Sequence, residues 1–198
     1  MKKWGRIFFV FILLTFACSG YVTDFYVKVS RSNYQTRLDP AKYREFKGQT
    51  VSFYTIGVEA QNVTNFYYYS PDGQIGYDLY YSPNKMGQPV SSFFWYTLQK
   101  TFDNLGLVIT ENGPIKNVPE LVLTFTFLND QEAKFRVKLT RNEKLLLEKT
   151  ISVSQKLPPT KDVNELENRA YAFIDLIAEA LLNDPDFKRE FFSDKEKV

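Results

Sequence analysis

The stretch from 133 to 140 limits the possible folds more than any other part of the sequence. Its apolar and polar side chains alternate without a break. Successive residues of a β-strand lie on opposite faces, so the pattern predicts a strand with one covered face and one wet face. The inward residues would be Phe135, Val137 and Leu139, and the outward residues would be Lys134, Arg136 and Lys138.

A strand is predicted on each side of this one, at 120–128 and 145–153. The connections Asn129-Asp130-Gln131 and Arg141-Asn142-Glu143 are short and polar, as antiparallel hairpins require. The segment 120–128 would present one apolar face to the core. Its members are Leu121, Leu123, Phe125 and Phe127.

Two long amphipathic helices are predicted, at 90–105 and from about 162 to 182. Ser91 or Ser92 is expected to cap the first helix, and Gly106 to end it. Asp162 or Asn164 is expected to cap the second. The buried faces would be Phe94, Leu98, Phe102 and Leu105 in the first helix, and Leu166, Ala170, Phe173, Ile174, Ile177 and Leu181 in the second.

The remaining pattern consists of strands and short helical turns. An alternating strand is predicted at 51–58, and a hairpin at 62–69 and 74–81 around Ser70-Pro71-Asp72-Gly73. Asp39-Pro40 and Asp184-Pro185 each begin a short helix. Two amphipathic helices need an apolar sheet face to cover them. The fold class predicted is therefore α+β, an antiparallel sheet with both helices packed on one face in a two-layer sandwich.

The first seventeen residues have the anatomy of a bacterial export signal. Lys2, Lys3 and Arg6 precede an apolar stretch, which ends at Ala17, a small residue placed for cleavage. Cys18, the one cysteine, follows directly and resembles the acylated cysteine of a lipoprotein. Two alternatives stay open, namely an ordinary secreted protein and an uncleaved membrane anchor. The predicted division is signal peptide 1–17, anchor and N-terminal segment 18–50, one domain 51–192, and charged tail 193–198.

Composition excludes several kinds of chemistry. The segment 1–17 holds three of the 25 Lys and Arg side chains and no acid, so the rest carries 22 basic against 23 acidic side chains. This balance gives no support to nucleic acid as a partner. The chain lacks histidine, the commonest general base and zinc ligand. We therefore expect neither an enzyme nor a metal site nor a cofactor.

Two surfaces are candidates for contact with a partner or with lipid. The predicted hairpin is rich in tyrosine on both faces, which can mean a contact surface or simply a half-exposed strand. Its candidate residues are Tyr67, Tyr69, Tyr77, Tyr80 and Tyr81. The second surface is a basic stripe of Lys134, Arg136 and Lys138, extended by Arg141. A solvated strand face explains the stripe, and so does contact with acidic lipid headgroups.

The order of elements resembles a known family. A lipoprotein cysteine, strands, a helix with Phe94-Trp95-Tyr96-Thr97-Leu98, three more strands and a closing helix at 170–178 follow one another. Between about 51 and 182, this order is similar to the ABC-type transport auxiliary lipoproteins, the group that includes paraquat-inducible protein C. The tyrosine-rich hairpin departs from the family pattern.

The resemblance implies a location and a role. The protein would be held by N-terminal acyl chains on the periplasmic face of the outer membrane. There it would act as a non-enzymatic tethering subunit of an envelope-spanning lipid transport system with MCE-type protein partners. Ser19 after the cysteine resembles the outer-membrane sorting rule. The alternatives are a lipopolysaccharide-assembly lipoprotein that binds an outer-membrane β-barrel, a lipoprotein that holds lipid in its own pocket, and an enzyme.

Overall fold

A computed structural model describes residues 26–59, 66–70, 73–80, 87 and 89–193. Within these ranges the chain forms strands and helices in an α+β arrangement, which confirms the predicted class. In chain order they are β1 (Tyr26–Ser30), a 3-10 helix (Pro40–Phe46), β2 (Thr50–Ser52), β3 (Ile56–Val58), β4 (Phe66–Ser70), β5 (Gly73–Tyr80), α1 (Val90–Asn104), β6 (Val108–Thr110), β7 (Glu120–Leu128), β8 (Glu132–Arg141), β9 (Lys144–Ser154), α2 (Val163–Leu182) and α3 (Pro185–Phe192).

The strands form two mixed sheets, not one antiparallel sheet. The small sheet has the order β1-β5-β4, and the large sheet has the order β6-β2-β7-β8-β9, with β3 also beside β7. β1 runs parallel to β5, β2 runs parallel to β6 and β7, and β3 runs parallel to β7. The expectation of a purely antiparallel sheet was wrong. The connection from β2 to β6 contains α1, and a helical crossover lets two strands enter a sheet in the same direction.

The predicted meander is present as β7, β8 and β9, paired antiparallel. Phe135, Val137 and Leu139 are completely buried, so the alternation identified the covered face of β8 correctly. The predicted buried face of β7 was wrong at the C-terminal end of the strand. The register shifts between Phe125 and Phe127, and Leu128 is buried while Phe127 is only half-buried. A bulge of this kind changes which residues point inward.

Both long helices bury the faces that the sequence predicted. Phe94, Leu98 and Phe102 of α1 are at most 1% exposed, and α1 and α2 contact each other and the large sheet. Gly106 has a φ of 91° directly after α1, as a left-handed helix end requires. The buried face of α2 is Leu166, Ala170, Phe173, Ile174, Ile177 and Leu181.

One of the predicted helix caps was wrong. α1 begins at Val90 with Pro89 at the cap position, and no side chain caps it. Ser91 and Ser92 lie inside the first turn instead. Asp162 caps α2 as predicted, with its carboxylate accepting from the backbone amides of Asn164 and Glu165.

The strand predicted at 51–58 is interrupted between β2 and β3. The interruption begins at Phe53, whose carbonyl oxygen accepts hydrogen bonds from Trp95 Nε1 at 3.1 Å and Gln99 Nε2 at 3.3 Å. Both donors lie on α1. Helix side chains therefore satisfy this carbonyl where the strand is interrupted, while the Phe53 amide still donates to the Thr110 carbonyl at 3.1 Å.

The chain before residue 51 contributes to the same core. Val27, Val29, Tyr34 and Phe46 are completely buried within a single cluster of apolar side chains. The 3-10 helix begins where Asp39-Pro40 predicts, and the Asp39 carboxylate accepts from the Ala41 amide at 2.9 Å. The segment from β1 onward is therefore built into the fold.

The closing helix α3 packs on the 3-10 helix. Phe187, Phe191 and Phe192 lie with ring centroids between 5.2 and 6.4 Å from the ring of Phe46. Asp184 caps α3 by accepting from the Phe187 amide at 2.9 Å. The pair Phe191-Phe192 thus closes the core at this end.

Candidate functional surfaces

The small sheet buries one face against the rest of the fold. Val27 and Val29 of β1 and Tyr77 and Leu79 of β5 are all buried. Tyr77, predicted as a surface residue, is only 6% exposed. This prediction was wrong because the register pairs Tyr77 with Phe66, on the face that turns inward.

The other tyrosines of the hairpin lie at different places. Tyr67 and Tyr69 belong to β4, where their backbones pair with Gly76 and Gln74. Tyr80 is half-buried at the end of β5, with its hydroxyl donating to Asp78 Oδ2 at 3.3 Å. Tyr81 and the predicted anchor Cys18 lie outside the described residues, as does the whole segment 19–25 that would join the anchor to β1.

A buried aspartate joins the two sheets. Tyr77 donates its hydroxyl hydrogen to Asp130 Oδ2 at 3.2 Å, and Asp130 is completely buried in the turn between β7 and β8. Gln155 Nε2, just past the end of β9, donates to the Asp130 backbone carbonyl at 2.8 Å. The small sheet is therefore fixed to one particular end of the large sheet.

A second buried aspartate holds the segment that follows β1. Asp175 of α2 accepts from the Tyr34 hydroxyl and the Thr36 hydroxyl, each at 2.6 Å, and from the Arg37 amide at 3.0 Å. Lys100 of α1 donates to the Tyr34 carbonyl. We call residues 31–38 the N-terminal strap, because both helices hold it by hydrogen bonds.

The buried environment of the strap alters the pKa of Tyr34. Burial, followed by the hydrogen bond to the Asp175 carboxylate, raises the pKa of Tyr34 far above its ordinary value. The sequence pattern did not single out Asp175 or Asp130 as functional residues. The signal for Asp175 was present, since a carboxylate inside the apolar run Phe173-Ile174-Asp175-Leu176-Ile177 must find partners when that face is buried.

The basic stripe lies on the wet face of β8, as predicted, but acids accompany it. Lys134 Nζ is 3.1 Å from Glu132, and Arg136 Nη2 is 2.5 Å from Glu59. Within the described part of the chain, Lys138 makes no ion pair. Arg141 does not belong to the stripe, since it is buried and donates to the Phe191 carbonyl at 2.9 Å. The acidic partners of Lys134 and Arg136 therefore reduce the net positive charge of this face.

The open edge of the large sheet is β9. This strand has eleven residues and pairs with β8 on one side, while no described strand pairs with its other side. Leu145, near its start, is 49% exposed. The opposite edge, β6, has only three residues, with Val108 at 48% exposure. An unpaired strand edge is a template for adding another strand.

The described residues include open cavities but no candidate metal site. No group of three or more His, Cys, Asp or Glu side chains among them could hold a metal ion. A cavity of about 310 Å³ is open to solvent between the 3-10 helix and the end of α1. The space between the helices and the large sheet is filled by completely or almost completely buried aromatic rings, among them Phe94, Phe102, Phe125 and Phe173. In the described part of the chain, no helix combines the length and the apolar character that crossing a bilayer requires.

Comparison with known proteins gives the fold alone. No family model and no curated protein matches the chain. The crystal structure of protein XCC0632 from Xanthomonas campestris, of the family model DUF330, is similar with a TM-score of 0.54 and 10% sequence identity. The match covers 84% of this chain and 98% of that one. The crystal structure of an uncharacterized protein matches with a TM-score of 0.40 and 14% identity, over 68% of this chain and 92% of that one.

Proposed function

We propose that this chain is a lipoprotein of the periplasmic face of the outer membrane that tethers an envelope-spanning lipid transport system of the MCE or ABC type. Acyl chains on Cys18 would hold the domain at the membrane. At about 0.8 kcal/mol per buried methylene, two or more chains make release negligible. The role is one of attachment and docking, not of catalysis.

The observation that carries the docking role is the open edge of β9. A partner strand laid along eleven residues would gain main-chain hydrogen bonds over its whole length, and Leu145 would add apolar contact. The three residues of β6 offer far fewer such bonds. The proposed partner surface is therefore β9, not the basic stripe, whose charges are largely matched by Glu132 and Glu59.

The proposal is supported from the sequence side by the resemblance of the element order to ABC-type transport auxiliary lipoproteins. It is supported on the chemical side by the absence of histidine from the chain. The packed aromatic core between helices and sheet also favours a docking protein over a carrier that holds lipid in its own interior.

The test is a pull-down of the acylated protein, extracted from membranes in mild detergent, with partners identified by mass spectrometry. We expect MCE-domain or ABC-transporter subunits. Leu145→Lys should weaken their recovery because it places a charge at the docking edge. Val108→Lys is the matched control, since it makes the same kind of change at the short opposite edge.

Two outcomes would overturn the proposal. Recovery of an outer-membrane β-barrel protein in place of transporter subunits would establish the assembly-lipoprotein alternative. Equal recovery with Leu145→Lys and Val108→Lys would remove β9 as the docking edge. A Cys18→Ser variant that still fractionates with membranes would show that the anchor is wrong.

A further inference from the structure

The pairing of β1 with β5 places the tyrosine-rich hairpin on the side from which the N-terminal chain arrives. The two strands are parallel, and Tyr26, the first residue of β1, pairs with Gly76. Gly76 is three residues beyond Gly73, where β5 begins. At about 3.3 Å per residue, the hairpin therefore projects about 10 Å past the start of β1.

The proposed anchor lies only a short distance before this point. Tyr26 is eight positions after Cys18, and even a fully extended chain of that length spans at most about 28 Å. A compact domain of this size is about 40 Å across. The tether is thus too short to carry the opposite end of the domain to the membrane, and the end that holds the hairpin must face the lipid.

The register gives this end a distinct chemistry. Tyr26 and Tyr67 both pair with Gly76, so the three positions form one row across β1, β5 and β4. Tyr69 pairs with Gln74, one step nearer the turn. Alternate residues of a strand belong to opposite faces, so Tyr26, Tyr67 and Tyr69 share the face opposite the buried Tyr77.

We propose that the hairpin end of the small sheet, with the tyrosines of this face, lies in the headgroup region of the leaflet that holds the acyl chains. Tyrosine is enriched at the boundary between hydrocarbon and water, because its ring is apolar and its hydroxyl is polar. The inference builds on the proposed anchor at Cys18 and adds the orientation of the domain and the residues that touch lipid.

The contact is mainly aromatic. Lys28 is exposed on the same face, but it pairs in register with Asp78, which offsets its charge. Added salt has little effect on an aromatic contact. In contrast, the attraction between exposed charges and acidic lipids falls steeply as the salt concentration rises. The proposal therefore predicts contact with phosphatidylcholine vesicles as well as with acidic ones.

A fluorescent probe on the hairpin tests the orientation. The probe is an NBD group on Gln74→Cys, which leaves the tyrosines unchanged, in acylated protein bound to phosphatidylcholine vesicles that contain nitroxide-labelled lipid. Acylation would consume the thiol of Cys18, so the introduced cysteine is the one free thiol. The control probe is on Lys144→Cys. This residue begins β9 and lies in the hairpin that follows β8, at the opposite end of β8 from the Asp130 turn. We expect the nitroxide to quench NBD emission at position 74 and to leave the emission at position 144 unchanged. The same result is expected at high salt.

The outcomes separate this inference from the proposed function. If the unlabelled protein fails to float with vesicles, the anchor and this inference both fail. If it floats but the probes at 74 and 144 lose equal emission, the anchor stands and the orientation is wrong. The double variant Tyr67→Ser and Tyr69→Ser, checked for folding by its thermal melt, should reduce the loss at 74, and an unchanged loss would show that the tyrosines do not make the contact.

Discussion

The two sheets are attached to the rest of the molecule in different ways. The large sheet meets the helices through apolar and aromatic side chains, with Phe94 of α1 packed edge-on against Phe125 of β7 at 5.2 Å between ring centroids. The small sheet also buries apolar residues, but buried polar groups fix its position. Tyr77 bonds to Asp130, and the Tyr171 hydroxyl donates to the Ser30 carbonyl at 2.7 Å.

The two kinds of attachment differ in how strictly they fix the orientation of a sheet, as well as in how much they stabilise it. Apolar burial stabilises without specifying an angle, whereas a hydrogen bond between buried groups is costly to leave unmade and so fixes the geometry. The part of the fold nearest the proposed anchor is therefore the part whose orientation is most strictly specified. Four measurements test this contrast between apolar and polar attachment, and the effect expected decreases from the first to the fourth.

The largest effect is expected at the apolar contact between α1 and the large sheet. Leu98→Asp places a charge at a completely buried position, and we expect a loss of about 4 kcal/mol or more, enough to unfold the domain. Urea unfolding followed by circular dichroism measures it. Asn104→Asp, at an exposed position of the same helix, is the control and should change little. Similar midpoints for the two variants would show that the buried face of α1 is misassigned.

The next effect tests the N-terminal strap. Asp175→Ala removes the acceptor from two hydroxyls and the Arg37 amide, so we expect a loss of about 2–4 kcal/mol in the free energy of unfolding. The Arg37 amide should also exchange its hydrogen faster. Glu179→Ala, one turn along α2, is the control. Unchanged exchange at Arg37 would mean that the strap is held by packing alone, and the contrast between apolar and polar attachment would weaken.

A smaller effect should appear at alkaline pH. The pKa of Tyr34 is raised in the folded state, so the folded protein holds this proton more tightly than the unfolded chain does. The stabilisation is complete below the ordinary value of 10.0 and decreases as the pH rises above it. The advantage of the wild type over Tyr34→Phe, measured by urea unfolding, should shrink across this range. A constant difference would exclude titration of Tyr34 as a source of alkaline instability.

The smallest effect concerns the hydrogen bond between the sheets. Tyr77→Phe keeps the buried ring and removes the hydroxyl that bonds to Asp130, so we expect a loss of about 1 kcal/mol. Tyr80→Phe, whose hydroxyl bonds to Asp78 at a half-buried site, should cost less. Thermal melts of the two variants give the comparison. If Tyr80→Phe costs more, the bond to Asp130 is not what fixes the small sheet.

The sequence predicted the elements whose signals are local. The alternation around Val137 identified the buried face of β8, and the spacing of Leu98 and Phe102 identified that of α1. It did not predict which strands become neighbours. Nothing in the local pattern of β1 indicates that it pairs with β5, because that choice depends on contacts between segments far apart in the chain.

The remaining errors have the same origin. The donors to the Phe53 carbonyl come from α1, and the buried Arg141 donates to a carbonyl in α3, so both involve segments far away in the chain. Tyr77 was placed at the surface because both faces of its hairpin are aromatic, and only the pairing register decides which face turns inward. Of the candidate site, the wet basic face of β8 was predictable, and the attachment of the small sheet was not.

The hydrogen bond between Tyr34 and Asp175 also sets an order of events. It joins residues 141 positions apart, and the chain is synthesised from its N-terminus. The strap cannot be secured until α2 has been made, and contacts between such distant segments form slowly. The segment that follows β1 is consequently fastened only after all the strands between it and α2 have been synthesised.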